Sequence, residues 1–285
     1  MHMRRNWRGG VLLSLIFTGL LAGCSSGGGG DDAPAAAITG SAEGFWTGTT
    51  GDGRTVMGAV LDDDTYWFVY SLPGQPSEMA GMFQGHGLSR NGAFTSSDGV
   101  DFNVHALDPG SGGWASVTGS YMPQQTLNGR LAYFDQFGSP AGTATFTSTY
   151  LPAYEEAPDL AQIVGAYTGL GSVGSSPNPG TMMFITPSGD VCFAARVLVD
   201  FSRCQVTDYI GTISPRTQGN LYDMVLIHKH GPRISLNPDV YLETTIYTGV
   251  AIFDSATNRL HGLAVDPDRL TALTPTAFLF VGTKQ

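Results

Sequence analysis

Arg54-Thr55-Val56-Met57-Gly58-Ala59-Val60-Leu61-Asp62-Asp63-Asp64-Thr65-Tyr66-Trp67-Phe68-Val69-Tyr70-Ser71 reads as two strands folded about three acids. Both runs are rich in β-branched and aromatic residues, which suit a pleated surface. In the second run Tyr66, Phe68 and Tyr70 alternate with Trp67 and Val69. Side chains in a strand point to opposite faces with a period of two, so the three rings share one face. Asp favours turns because its carboxylate bonds nearby backbone N–H groups. The stretch is therefore a β-hairpin.

The same pattern continues in both directions. Further strands are expected at Met79–Leu88, Val100–Ala106, Trp114–Tyr121, Thr126–Phe134 and Gly142–Tyr150, each bounded by Gly, Pro, Asn or Asp. Gly81, Gly85 and Gly87 within one run suggest bulges or a tight bend. From Leu151 to Ala161 the pattern breaks, with Pro152, Glu155, Glu156 and Pro158 marking a linker. Pro158 to Gln162 is expected to form one helical turn with proline at its first position. Strands then resume at Ile163–Gly169, Thr181–Thr186, Val191–Val199, Cys204–Ser214, Asn220–His228, Tyr241–Phe253, Arg259–Val265 and Ala277–Gly282. Short strands at this spacing mean an antiparallel sandwich or barrel. The fold class is all-β, with one domain over residues 42–151 and a second over 152–285.

The two domains read as copies of one unit. Gly44-Phe45-Trp46-Thr47-Gly48 opens the first and Gly165-Ala166-Tyr167-Thr168-Gly169 the second. Near the ends, Leu127-Asn128-Gly129-Arg130-Leu131 parallels Leu260-His261-Gly262-Leu263. Thr143–Thr147 and Ala277–Val281 then close each copy.

The chain of 285 residues begins with a different kind of segment. Arg4, Arg5 and Arg8 precede an apolar run from Val11 to Leu20. That run is shorter than the roughly 20 residues a membrane-spanning helix needs, so it reads as a signal peptide. Leu21-Ala22-Gly23-Cys24 follows and resembles the lipobox of bacterial lipoproteins. The resemblance implies a diacylglycerol on the Cys24 thiol, cleavage after residue 23, and acylation of the new amine. Three chains would anchor the protein firmly, since stable anchoring takes two such signals. In that family Ser25, rather than Asp, next to the cysteine implies the outer membrane. Residues 24–41 continue as a tether, with Ser25-Ser26-Gly27-Gly28-Gly29-Gly30 and an Ala/Pro stretch. About 16 such residues behave as a flexible coil with a reach of roughly 20 Å.

Loss of residues 1–23 removes three arginines and no acid, leaving eleven basic side chains against 24 acidic ones. The lysines are two, Lys229 and Lys284. With no basic patch, nucleic acid is excluded as an expected partner. Charged residues make up 13% of the chain, about half the usual ~25%, and glycine, at 39 residues, is about double the usual ~7%.

The Gly-x-Trp start at Gly44–Trp46, followed by a meander of strands, resembles the calycins, the lipocalin-like barrels. Lipocalins also carry a Thr-Asp-Tyr segment. Here Thr207-Asp208-Tyr209 falls in the other copy from Trp46, so the two motifs do not share a barrel. Anchor, tether and paired β domains together resemble the tandem-domain surface lipoproteins of proteobacteria, among them transferrin-binding protein B and factor-H-binding lipoprotein. The resemblance reaches no partner-contacting motif, and the lysine-rich loops of the transferrin-binding lipoproteins are absent.

Candidate chemistry is sparse. Once Cys24 is lipidated, Cys192 and Cys204 remain, on consecutive strands in an oxidising compartment, and a disulfide is expected. Closing a loop of about 13 residues contributes roughly 3 kcal/mol. Gly169-Leu170-Gly171-Ser172-Val173-Gly174 matches G-x-G-x-x-G. A nucleotide site needs a helix after it, and Ser175-Ser176-Pro177-Asn178-Pro179-Gly180 reads instead as loop. His228 and His230 are weak metal candidates on one strand face, lacking a third ligand at a telling spacing, though His261 or Asp223 could approach in space. The plainer reading is a polar strand end. Asp62-Asp63-Asp64 and Asp98-Gly99-Val100-Asp101 are read as turns rather than calcium loops. No G-x-S-x-G elbow occurs, so no catalytic residue is assigned and no cofactor is implied. The expected function is non-enzymatic binding of a protein partner or a small apolar ligand, with loops Leu72–Glu78 and Gly231–Asp239 available for contacts. An envelope hydrolase or sugar-active enzyme on a β scaffold, or a structural assembly lipoprotein, are the alternatives.

Overall fold

The computed structural model describes residues 38–104, 113–135, 137–174, 176–194, 209–230, 243–269 and 276–285. Cys24, the signal and the tether before residue 38 lie outside them, as do Cys204 and the loop at 231–239. Ala37–Gln285 form one compact unit. Among the described residues no helix is long and apolar enough to cross a membrane.

The first set of strands runs β1 (Gly44–Thr50), β2 (Thr55–Val60), β3 (Thr65–Leu72), β4 (Gln75–His86), β5 (Leu88–Arg90), β6 (Ala93–Asn103), β7 (Trp114–Met122), β8 (Thr126–Phe134) and β9 (Pro140–Leu151). All neighbours are antiparallel, and β9 returns to pair with β1. Pairing of β4 with β6, from Gly81↔Asn103 to Gln84↔Val100, closes an eight-stranded barrel and leaves β5 as a short flap on β6. The second set runs β10 (Gly165–Val173), β11 (Ser176–Ile185), β12 (Asp190–Ala194), β13 (Tyr209–Pro215), β14 (Leu221–His230), β15 (Glu243–Asp254), β16 (Arg259–Val265) and β17 (Ala277–Lys284). It too is a closed antiparallel barrel in simple meander order, with β17 pairing back to β10.

The barrels share a construction. Trp46 on β1 and Tyr167 on β10 are fully buried. Trp46 donates its indole N–H to Ala42 O at 2.8 Å, and Tyr167 donates its hydroxyl to Ile163 O at 2.8 Å. Each ring thus ties the first strand to the carbonyl four residues upstream. The Leu127 and Leu260 motifs lie on β8 and β16, the next-to-last strand of each barrel, and both leucines are buried.

Alternation places the core in three layers. Inside the first barrel lie Trp46, Tyr66, Phe83, Phe94, Val117 and Leu127. Inside the second, Phe193 meets Tyr209, Phe278 and Phe280 edge-on at 4.8 to 5.8 Å between ring centres, so among the described residues packed rings occupy that part of the lumen. Between the barrels a third cluster joins Phe45, Trp67, Val69 and Met82 to Val250, Leu263, Leu279 and Val281. Arg216 clamps its rim, donating to Asp62 at 2.7 Å and Asp223 at 2.6 Å.

Several expectations need correction. Leu72–Glu78 is a tight hairpin rather than an open loop: Leu72 pairs with Gln75 across a two-residue turn, and Gln75–Glu78 belong to β4. Asp98–Asp101 is strand rather than turn, within a β6 that begins seven residues earlier than Val100. Gly169–Val173 is likewise strand, and only Gly174 takes the turn, at φ 65°. Ser176–Gly180 is the start of β11, where described pairing with β12 covers only Met182–Ile185. Pro177 and Pro179 therefore interrupt no described β11–β12 pair. The helical turn α1 is Leu160–Ile163, with Asp159 as its cap accepting from Ala161 N at 2.9 Å, so Pro158 precedes the helix instead of opening it.

Candidate functional site

The first barrel is hollow toward one end. β1 runs from buried Trp46 to half-exposed Thr50, and the β1–β2 turn at Gly51–Gly53 forms part of the rim. A cavity of about 380 Å³ opens there, within the roughly 300–1,000 Å³ of small-molecule sites. Its wall is mainly aromatic and aliphatic, including Phe68, Phe83, Phe94, Leu131 and Phe146.

Strand alternation also turns polar groups inward. On β6 the apolar Val100 and Phe102 face the second barrel, which sends Asp101 and Asn103 into the cavity. Tyr70 donates its hydroxyl to Asp101, and Tyr133 from β8 donates a second bond. Burial pushes the Asp101 carboxyl up to about 6, against the pull of both tyrosines and of Arg54. Burial also raises the Tyr70 and Tyr133 hydroxyls, and Asp101 raises them further, so both stay protonated donors.

Arg54 sits at the rim, with its guanidinium carbon 5.4 Å from the centre of the Tyr70 ring. It pairs with Asp52 at 2.7 Å and donates to Ser71 O at 3.3 Å. Asp52 is lowered: burial pushes it up, but bonds from Thr50 and Arg54 outweigh that.

Two glycines make room for the lumen tyrosines. A Cβ on Gly81 would overlap the Tyr70 hydroxyl, and one on Gly85 would overlap the Tyr66 hydroxyl. The β3–β4 register shift between Tyr70 and Ser71 lies beside Gly81, so the glycine-rich run does carry an irregularity.

The residues singled out in the sequence lie elsewhere. His228 stacks on Tyr209 at 4.2 Å, on the inner face of the second barrel. His261 lies on the opposite face of its wall, beside Leu263 and the inter-barrel cluster, and Asp223 is held by Arg216. These groups do not converge, and the side chain of His230 is outside what is described. Among the described residues no group of three or more His, Cys, Asp and Glu is placed to hold a metal. Cys192 is fully buried on β12. Asp62 serves the Arg216 clamp, Asp63 accepts from Thr65 N at 3.0 Å, and Asp64 takes φ 63°, a turn in each respect. Asp98 pairs with the His86 ring at 2.9 Å. Asp101 was thus within a motif noted for another reason, while Tyr70, Tyr133 and Arg54 were seen only as strand residues.

No family model matches the sequence, and no curated protein matches it. Among solved structures it is similar to a protein of unknown function from the DUF3598 family of Nostoc punctiforme. The two are 12% identical, the match covers 85% of this chain and 94% of that one, and the TM-score is 0.22.

Proposed function

We propose that this chain is a lipid-anchored outer-membrane protein whose first barrel binds a small, mostly apolar molecule without chemical turnover. The observation that carries the binding reading is the open cavity of about 380 Å³ around Asp101. The meander order of both barrels supports the calycin-like reading taken from Gly44–Trp46. The anchor rests on Leu21–Cys24, and the reading includes a Cys192–Cys204 disulfide, which an oxidising compartment favours.

Displacement of an uncharged fluorescent probe tests the cavity. N-phenyl-1-naphthylamine should brighten on binding the full chain with Cys24→Ser. Leu131→Trp, which fills the lumen, should abolish the signal while the far-ultraviolet circular dichroism stays that of a β protein. An unchanged signal in that variant would count against the cavity. For the anchor, growth with labelled palmitate should label the wild-type chain and not Cys24→Ser.

A further inference from the structure

We infer that the ligand of the first barrel is a cationic amphiphile: an apolar body carrying one protonated amine that docks against Asp101. This deepens the binding reading above and rests on it.

Three observations carry the inference. First, the charged residues lining the cavity are Asp52, Arg54 and Asp101, two carboxylates against one guanidinium. Arg54 is already committed to Asp52 at 2.7 Å and to Ser71 O at 3.3 Å. Arg54 acts on Asp101 through its field, but among the described residues no cation forms an ion pair with that carboxylate. Second, Asp101 has unused acceptor capacity. A carboxylate offers about four lone-pair sites. Tyr70 and Tyr133 take two, and the carboxylate itself lines the cavity. Third, the surrounding wall is aromatic. Tyr70, Tyr133, Phe68 and Phe146 line the same cavity, and ring faces attract an ammonium group within about 6 Å. A desolvated carboxylate among rings favours an ammonium over a neutral head. A ligand carboxylate would meet Asp101 as a like charge and find Arg54 occupied.

The test compares three ligands of one chain length: nonylamine, nonanol and nonanoate. Each displaces N-phenyl-1-naphthylamine from the full chain with Cys24→Ser at pH 8, where the amine stays protonated. The amine should displace the probe at about tenfold lower concentration than the alcohol, and nonanoate should be the weakest. In Asp101→Asn the amine should fall to the level of the alcohol. Asp101→Asn should still take up the probe and yield it to nonanol at the wild-type concentration, which separates loss of the charge from misfolding. Equal displacement by all three in the wild type, or an amine preference that survives Asp101→Asn, overturns the inference and leaves the cavity reading standing. Failure of all three to displace the probe overturns the cavity reading itself.

Discussion

Asp101 occupies a position where a soluble strand usually shows its polar face to water. Val100 and Phe102 on either side are buried, as alternation demands, but they are buried against the second barrel. The polar face is the inside. Two tyrosine hydroxyls compensate part of the desolvation, yet burial still holds the carboxyl near 6, above its ordinary value. A carboxyl raised in the fold favours the protonated state. Its contribution to stability is therefore complete below about pH 4 and is lost as pH rises through about 6. Asp101→Asn should accordingly gain melting temperature relative to wild type between pH 5 and pH 8. Calorimetry at the two values checks this, and a difference that does not change with pH would contradict it.

At the scale of elements, the hairpin of β2 and β3 was legible because its rings alternate and its turn is acidic. β8 and β16 were legible to the residue, since Thr126–Phe134 and Arg259–Val265 are bounded by plain turn signals. The early half of β6 was not: apart from the single buried ring of Phe94, Ala93 to Gly99 is small and polar, with exposed Ser97 and Asp98, and one ring makes no apolar periodicity. The start of β11 was hidden by its two prolines for the reason already given. The site was hidden more deeply. Polar residues alternating with apolar ones specify two faces, but not which face is the lumen; that depends on the second barrel covering the outer surface of the first. The β12–β13 connection carries a prediction of its own. With Cys192 and Cys204 joined and the Cys24 thiol capped by lipid, the mature protein should show no alkylatable thiol until reduced. Reduction should lower the melting temperature by roughly 6–12 °C, as a loss of about 3 kcal/mol implies for a cooperative unit of this size.

For the whole molecule, the cluster between the barrels decides how it unfolds. Phe45, Trp67 and Val69 on one side, with Leu263, Leu279 and Val281 on the other, make the outer wall of each barrel part of a common core. His261 is buried at 4% exposure on that side of β16, and its Nδ1 has no hydrogen-bond partner among the described residues. Burial, reinforced by the neighbouring Arg259 charge, lowers its imidazole to about 4. A histidine lowered in the fold contributes stability above about pH 6.5, and that stability is lost as pH falls toward 4. The effect runs opposite to that of Asp101 across nearly the same window, so wild type alone will show little net trend and the single variants are needed. His261→Leu should raise the melting temperature most at pH 4.5. Fluorescence of Trp67 and near-ultraviolet ellipticity should then melt together, at the same temperature, as one transition.

Strand β3 carries Tyr66, Phe68 and Tyr70 on the cavity side and Trp67 and Val69 on the other. It is a party wall one backbone thick. A guest that presses on Tyr70 leans on the neighbour's room as well, so occupancy of the first barrel should slow amide exchange in β16 and β17 of the second.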